Sequence, residues 1–246
     1  MNGSEIQVPM REGTAGAYVS HPAGPGPWPP VIFFMDGLGV RPALFEMADR
    51  LASHGYYVLL PNMFWRSGAF APFDPKAVFA GGPEMERLMK ILGAVTEEAA
   101  MSDTETFLAF LARQPQVQDA GRVACVGYCM GGGLALAAAC TFPDRIAAAA
   151  SFHGGRFVTA PETPAKLSEK AKARLYIGVA EIDRSHTPEV TDRLRAALEQ
   201  AGIPHAIELY PGASHGFAIE DLPVYDRAAS ERHWERLLGL LRETFG

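Results

Sequence analysis

Val123-Ala124-Cys125-Val126-Gly127-Tyr128-Cys129-Met130-Gly131-Gly132-Gly133-Leu134 is the stretch on which the reading of this chain turns. Val123 to Val126 is a short run, apolar throughout, as expected of a strand covered on both faces. Leu134 to Cys140 is rich in small residues and reads as a closely packed helix. Between them lies Gly-x-Cys-x-Gly. That is the strand–turn–helix setting of a nucleophile elbow, with cysteine as the nucleophile. Side chains two residues before and after the nucleophile of so sharp a turn would strike neighbouring backbone, which explains the glycines. The start of a helix at this point would also stabilise a thiolate. Glycines here would equally suit a phosphate-binding loop or simple close packing. However, the chain has neither a Gly-x-Gly-x-x-Gly pattern nor the Lys-Ser/Thr of a P-loop.

Outward from the turn, the pattern repeats. Val31 to Met35, Tyr56 to Leu60, Ile146 to Phe152, Leu175 to Val179 and Ala206 to Tyr210 read as further buried strands. Ile6 to Met10 and Ala15 to Ser20 are weaker and suggest an edge hairpin. Helical periodicity fills the gaps. Leu44, Met47, Ala48 and Leu51 share one face, and Gly55 closes that helix. Ser102-x-x-Glu105 predicts a capping box for a helix reaching Arg113. Thr187-Pro188 opens a helix that Gly202 ends, and Trp234, Leu237, Leu238 and Leu241 mark the last one. Strand followed by helix, repeated, predicts an α/β architecture with a mostly parallel sheet and helices on both faces. Residues 61–101 are the least regular and are expected to cover the C-terminal edge of the sheet, where ligands bind in such folds. No linker separates domains, so 1–246 is expected to form one.

Composition narrows the function. Twenty-two Lys/Arg against 28 Asp/Glu give a net charge of −6, which argues against a nucleic-acid partner. No apolar run is long enough for a membrane helix, so no membrane partner is expected. The three cysteines, Cys125, Cys129 and Cys140, do not read as a disulfide framework. Together with an opening that lacks a basic-then-apolar signal pattern, they point to a reducing, cytoplasmic setting. The scattered histidines predict no structural metal.

A cysteine nucleophile needs a base and a group to orient it, in the order nucleophile, acid, histidine. Asp183 follows the strand Leu175 to Val179, and His215 follows the next strand within Pro211-Gly212-Ala213-Ser214-His215-Gly216-Phe217. Glu181 and Asp221 are rival acids, and position favours Asp183. Among rival histidines, His186 reads as a solvated loop residue and His153 as a pocket-lining one. His233 reads as a surface or packing residue.

Gly-Tyr-Cys-Met-Gly-Gly after a strand, a later Asp loop and Gly-Ala-Ser-His-Gly-Phe together resemble the dienelactone hydrolase family of α/β-hydrolases, over nearly the whole chain. The resemblance implies an α/β-hydrolase fold, no cofactor, and a triad carried onto Cys129, His215 and Asp183. It implies an oxyanion hole from the backbone N–H groups of Met130 and Gly37. It implies a carboxylate at Asp36 that tunes the nucleophile, although the family has the longer glutamate there. Arg66 in Pro61-Asn62-Met63-Phe64-Trp65-Arg66 matches the family's substrate-carboxylate arginine, and Trp65, His153 and Phe217 are expected to help bind substrate. Ile219 and Gly216 stand where the family has a second arginine and a serine. The expected substrate is a small ester or lactone, hydrolysed by a monomer or homodimer. An acyltransferase using the same triad and a non-catalytic binding relative of the fold are the alternatives.

Overall fold

The computed structural model describes residues 1–119 and 121–246, with residues 156 and 157 described as backbone only. Eight strands form one sheet: β1 (Asn2–Met10), β2 (Gly13–His21), β3 (Pro30–Phe34), β4 (Tyr57–Pro61), β5 (Val123–Tyr128), β6 (Ile146–Phe152), β7 (Arg174–Ile182) and β8 (His205–Ser214). Their order across the sheet is β1-β2-β4-β3-β5-β6-β7-β8. β3 to β8 run parallel, while β2 pairs antiparallel with β4 and β1 with β2. The expected edge hairpin is therefore present, and it starts as early as Asn2. β3, β4 and β5 are buried along their whole length.

Among the described residues the helices are α1 (Pro42–Ser53), α2 (Pro75–Ala80), α3 (Pro83–Ala94), α4 (Glu97–Leu111), α5 (Met130–Thr141), α6 (Arg156–Thr159), α7 (Thr163–Lys170), α8 (Pro188–Ala201) and α9 (Arg227–Phe245). α1 and α9 meet through Arg50, which sits over the Trp234 ring and pairs with Glu231. α5 packs against β5 and β6, with α4 and α7 as neighbours. None of the described helices is long and apolar enough to cross a membrane.

One helix boundary and one irregular stretch differ from the sequence reading. α4 begins at Glu97, not at Ser102. Thr96 caps it by accepting from the Ala99 N–H at 3.2 Å, and Glu97 and Glu98 face the positive end of the helix. Ser102 and Glu105 lie inside the helix, so the capping-box pattern there had no free N–H groups to serve. The stretch 61–101 is more ordered than its composition suggested. Pro75 and Pro83 each open a helix, and Gly81 and Gly82, both at positive φ, turn the chain between them. These helices do reach the C-terminal edge of the sheet: Leu92 of α3 would touch a β-carbon placed on Gly37, and Phe79 of α2 lies beside Gly216.

The outer rim of β8 is not bare. Arg232 of α9 donates to the Leu209 carbonyl at 3.0 Å, and Arg195 of α8 to that of Ile207 at 3.5 Å.

Two glycines show what the packing tolerates. A β-carbon on Gly131 would lie 2.3 Å from the Phe34 carbonyl oxygen and 2.5 Å from that of Met35, both backbone atoms with no freedom to move aside. Gly239, inside α9, has nothing within 4 Å of the same position. Gly131→Ala is therefore expected to destabilise the protein by about 3 kcal/mol or more, and Gly239→Ala to stabilise it by about 0.5–1 kcal/mol. Thermal melts of both variants against the unchanged protein check this, with opposite signs expected.

Candidate active site

The C-terminal ends of β3, β5, β6, β7 and β8 converge on one edge of the sheet. Cys129 lies between β5 and α5 with φ 55° and ψ −118°, a strained conformation for a residue with a β-carbon. The surroundings hold it there. Its N–H donates to the Phe152 carbonyl at 3.1 Å, and its carbonyl accepts from Gly132 and Gly155, each at 3.1 Å. Gly127 is required as well, since a β-carbon would come within 1.9 Å of the Gly131 oxygen. Met130 is the first residue of α5, so its N–H belongs to the unpaired first turn of a helix.

His215 follows β8, and its Nδ1 lies 2.6 Å from Oδ2 of Asp183 in the loop after β7. Asp183 Oδ1 in turn accepts from the Ser185 N–H at 2.9 Å and hydroxyl at 2.7 Å. The Asp183 side chain is 5% exposed and that of His215 is 32% exposed, so the acid is enclosed and the base is accessible. With Nδ1–H committed to the carboxylate, Nε2 is the nitrogen left for the thiol. Burial alone would push the His215 pKa down. Hydrogen bonds to Asp183 and to Cys129 outweigh it and raise the pKa to about 10. Burial would likewise raise Asp183, but the bond to His215 wins and lowers it to about 2. At neutral pH the arrangement holds a protonated imidazole beside an ionised aspartate.

The rivals are occupied elsewhere. Glu181 accepts from the Gly212 N–H at 2.7 Å, and Asp221 pairs with Arg41. His233 is in the core, between the Tyr128 hydroxyl at 2.6 Å and the Ser230 carbonyl at 2.8 Å. His186 is not solvated, as its loop position suggested, but buried against Asp183, with its N–H on the Asp183 carbonyl at 3.3 Å.

Several expected binding residues lie elsewhere than the sequence implied. Arg66 gives both prongs of its guanidinium to Asp103 of α4, at 2.5 and 2.8 Å, and stacks on the Trp65 ring at 4.2 Å. The Trp65 indole N–H also goes to Asp103, at 2.9 Å. Asp103 is buried, and satisfying it takes the side chains that β4 had seemed to offer to substrate. His153 and Phe217 do gather at the site, but behind His215. Their rings are fully buried, with centroids 5.2 Å between His153 and His215 and 5.3 Å between His153 and Phe217. Burial, and then the charge of His215, push the His153 pKa well down, so its ring is a neutral wall.

Asp36 is not aimed at the thiol. Oδ1 accepts from the Leu38 N–H at 3.0 Å and from Arg41 at 2.7 Å, and Oδ2 accepts from Arg41 at 2.9 Å. The shorter side chain thus closes the turn after β3, and with the Leu38 N–H engaged, Gly37 is the candidate for the second oxyanion donor. Arg41 has no counterpart in the sequence reading. Asp221 stands 180 positions away from it, and no local pattern announces such a pair. Among the described residues, no group of three His, Cys, Asp or Glu side chains could hold a metal ion.

The other two thiols are held inert by their surroundings. Burial pushes Cys125 far up and Cys140 up to about 11, so both stay protonated. Brief iodoacetamide treatment at pH 7 is expected to label Cys129 alone, as read by peptide mass spectrometry. His215 keeps its proton through neutral pH and loses it only as pH rises towards 10. Ester turnover is therefore expected to hold through neutral pH and fall on that alkaline side. Asp183→Asn removes the strongest upward pull on His215, so its alkaline limb should move to lower pH and its turnover fall about 10³–10⁴-fold.

Comparison with known proteins places this geometry. Residues 15–245 match the Dienelactone hydrolase family. A Synechocystis protein named "Putative carboxymethylenebutenolidase" is 26% identical over 96% of this chain and 95% of its own. A Pseudomonas protein named "Carboxymethylenebutenolidase" is 35% identical over 50% of this chain and 49% of its own. In three dimensions, a Klebsiella pneumoniae crystal structure titled "Putative Dienelactone Hydrolase" superposes with a TM-score of 0.84 at 23% identity, over 98% of both chains. The strand order, the cysteine elbow and the full-length match together make this chain a member of the dienelactone hydrolase family of ester and lactone hydrolases.

Proposed function

We propose that this protein hydrolyses small esters or lactones through an acyl-cysteine intermediate on Cys129. The observation that carries the reading is His215, held at 2.6 Å by the enclosed carboxylate of Asp183 and raised in pKa by both Asp183 and the elbow cysteine. In the first half, the Cys129 thiolate attacks the carbonyl carbon and a C–S bond forms. The N–H groups of Met130 and Gly37 receive the oxyanion, at about 10²–10³ in rate per donor. The C–O bond then breaks, and the departing alkoxide takes the proton of the His215 imidazolium. In a lactone both halves remain in one molecule. In the second half, His215 takes a proton from water, and the resulting hydroxide attacks the thioester. The thiolate leaves, and the carboxylic acid is released. Asp183 fixes the imidazole and stabilises its charged form throughout.

The substrate does not owe its binding to Arg66. Both prongs of that guanidinium are on Asp103. Leu92 and Phe79, apolar side chains that α3 and α2 bring against the candidate oxyanion and histidine loops, suit an uncharged ester or lactone.

Two measurements test this. Rapid quenching during turnover of a p-nitrophenyl ester is expected to trap one acyl group, mapped to Cys129 and absent in Cys129→Ala. Undiminished hydrolysis by Cys129→Ala, or an acyl group on another residue, would overturn the reading. Arg66→Ala is expected to lower the melting temperature, because Asp103 is left buried and unpaired. It should change the ratio of kcat/KM for an acidic and a neutral lactone by less than about twofold, where loss of a charge-assisted anchor would cost about tenfold or more.

A further inference from the structure

Arg41 sits at the N-terminus of α1 with 8% of its side chain exposed, and it uses every N–H it has. Nη1 donates to Asp36 Oδ1 at 2.7 Å and to the Gly39 carbonyl at 3.1 Å. Nη2 donates to Asp36 Oδ2 and to Asp221 Oδ1, both at 2.9 Å, and Nε donates to Asp221 Oδ2 at 2.6 Å. A guanidinium has five N–H donors in a fixed plane, and here each has an acceptor. Among the described residues its ion pairs are with Asp36 and Asp221. Burial opposes its positive charge, but the two carboxylates outweigh that and hold it fully protonated.

The places joined are the two loops on which acylation depends. Asp36 immediately precedes Gly37, the proposed oxyanion donor. Asp221 lies six positions beyond His215, in a loop whose own turns run from Ile219 to Gly216 and from Leu222 to Ile219. The fold does not call for ions here: Phe34 and Met35, just before Asp36, are fully buried and apolar. A buried ion cluster in such a place is on balance no more stabilising than apolar packing. It does have an electrostatic consequence for the reaction. Asp36 places a buried negative charge on the residue directly before Gly37, the proposed donor to the tetrahedral oxyanion. In a weakly polarisable interior two like charges repel strongly unless a cation stands between.

We infer that Arg41 is a positioning residue for acylation: it ties the oxyanion loop, residues 36–41, to the histidine loop, residues 215–222, and neutralises Asp36 beside the developing oxyanion. This rests on the acyl-cysteine reading above.

The test compares a reaction that builds an oxyanion with one that does not, at the same sulfur. Arg41→Gln is expected to lower kcat for p-nitrophenyl acetate by about 10–100-fold with KM within about threefold, less than the roughly 10²–10³ of removing one oxyanion donor because the donor is misplaced and not lost. Alkylation of Cys129 by iodoacetamide, a displacement at saturated carbon with no oxyanion, should stay within about threefold of the unchanged protein, since the elbow and its helix are untouched. Adding Asp36→Asn to Arg41→Gln removes the uncompensated charge and is expected to recover about fivefold or more of kcat. Arg41→Lys keeps the charge but cannot bridge both carboxylates. It should lose about threefold or more in kcat, and it serves if the glutamine variant does not fold. A kcat for both Arg41 variants within about twofold of the unchanged protein overturns the inference. So does an equal loss in kcat and alkylation, or no recovery in the double variant. If the unchanged protein forms no acyl-Cys129, it is the acyl-cysteine reading that fails, and that is seen before any Arg41 variant is made.

Discussion

The backbone of Gly131 rests on the carbonyl oxygens of Phe34 and Met35 with no room for a β-carbon, and the site is arranged around that contact. It presses the first turn of the nucleophile helix against the end of β3. The N–H of Met130 and the loop that carries Gly37 thereby come to the same place. The strain at Cys129, whose φ is 55°, is the local cost of the same geometry. Three hydrogen bonds to its backbone, from β6 and from the turns on either side, keep the residue in that conformation. Asp183 and His215 then need only emerge from the next parallel strands to reach the thiol.

Much of this was legible in the sequence because it is local. A buried strand, a glycine-flanked cysteine and a small-residue helix are contiguous, so Gly127 to Gly132 announces its own conformation. Asp183 and His215 could be picked because parallel strands deliver their following loops to one edge, which makes chain order a guide to space. The rest depended on partners far apart in the chain. Arg66 looks like a free cation at a strand end until Asp103, 37 positions later, claims it. Asp36 looks like a tuning group for the thiol until Arg41 takes both its oxygens. His186 looks solvated until its loop folds back on Asp183. In each case the residue type was read correctly and the competing partner was not visible. The misplaced start of α4 has a different origin: two capping candidates compete, and Thr96, with two glutamates directly after it, makes the better helix start than Ser102.

Charge is distributed with the same economy of partners. The guanidiniums that could have faced the site, Arg41 and Arg66, are each neutralised by carboxylates of the protein itself. The titratable neighbours of His215 are held in fixed states, with Asp183 ionised and His153 neutral. In the proposed mechanism this leaves His215 as the group that gives and takes the proton.

The guanidiniums along β8 have a consequence of another kind. An outermost strand ordinarily presents a row of unsatisfied main-chain groups, which is a template for a strand of another molecule. Here Arg195 and Arg232 already occupy the carbonyls of Ile207 and Leu209. A second chain approaching this rim would have to displace two cations before it could extend the sheet. The exposed Leu209 side chain is the sticky group left there. The rim is thus guarded against fibre-like growth, and association through it would fall to side chains.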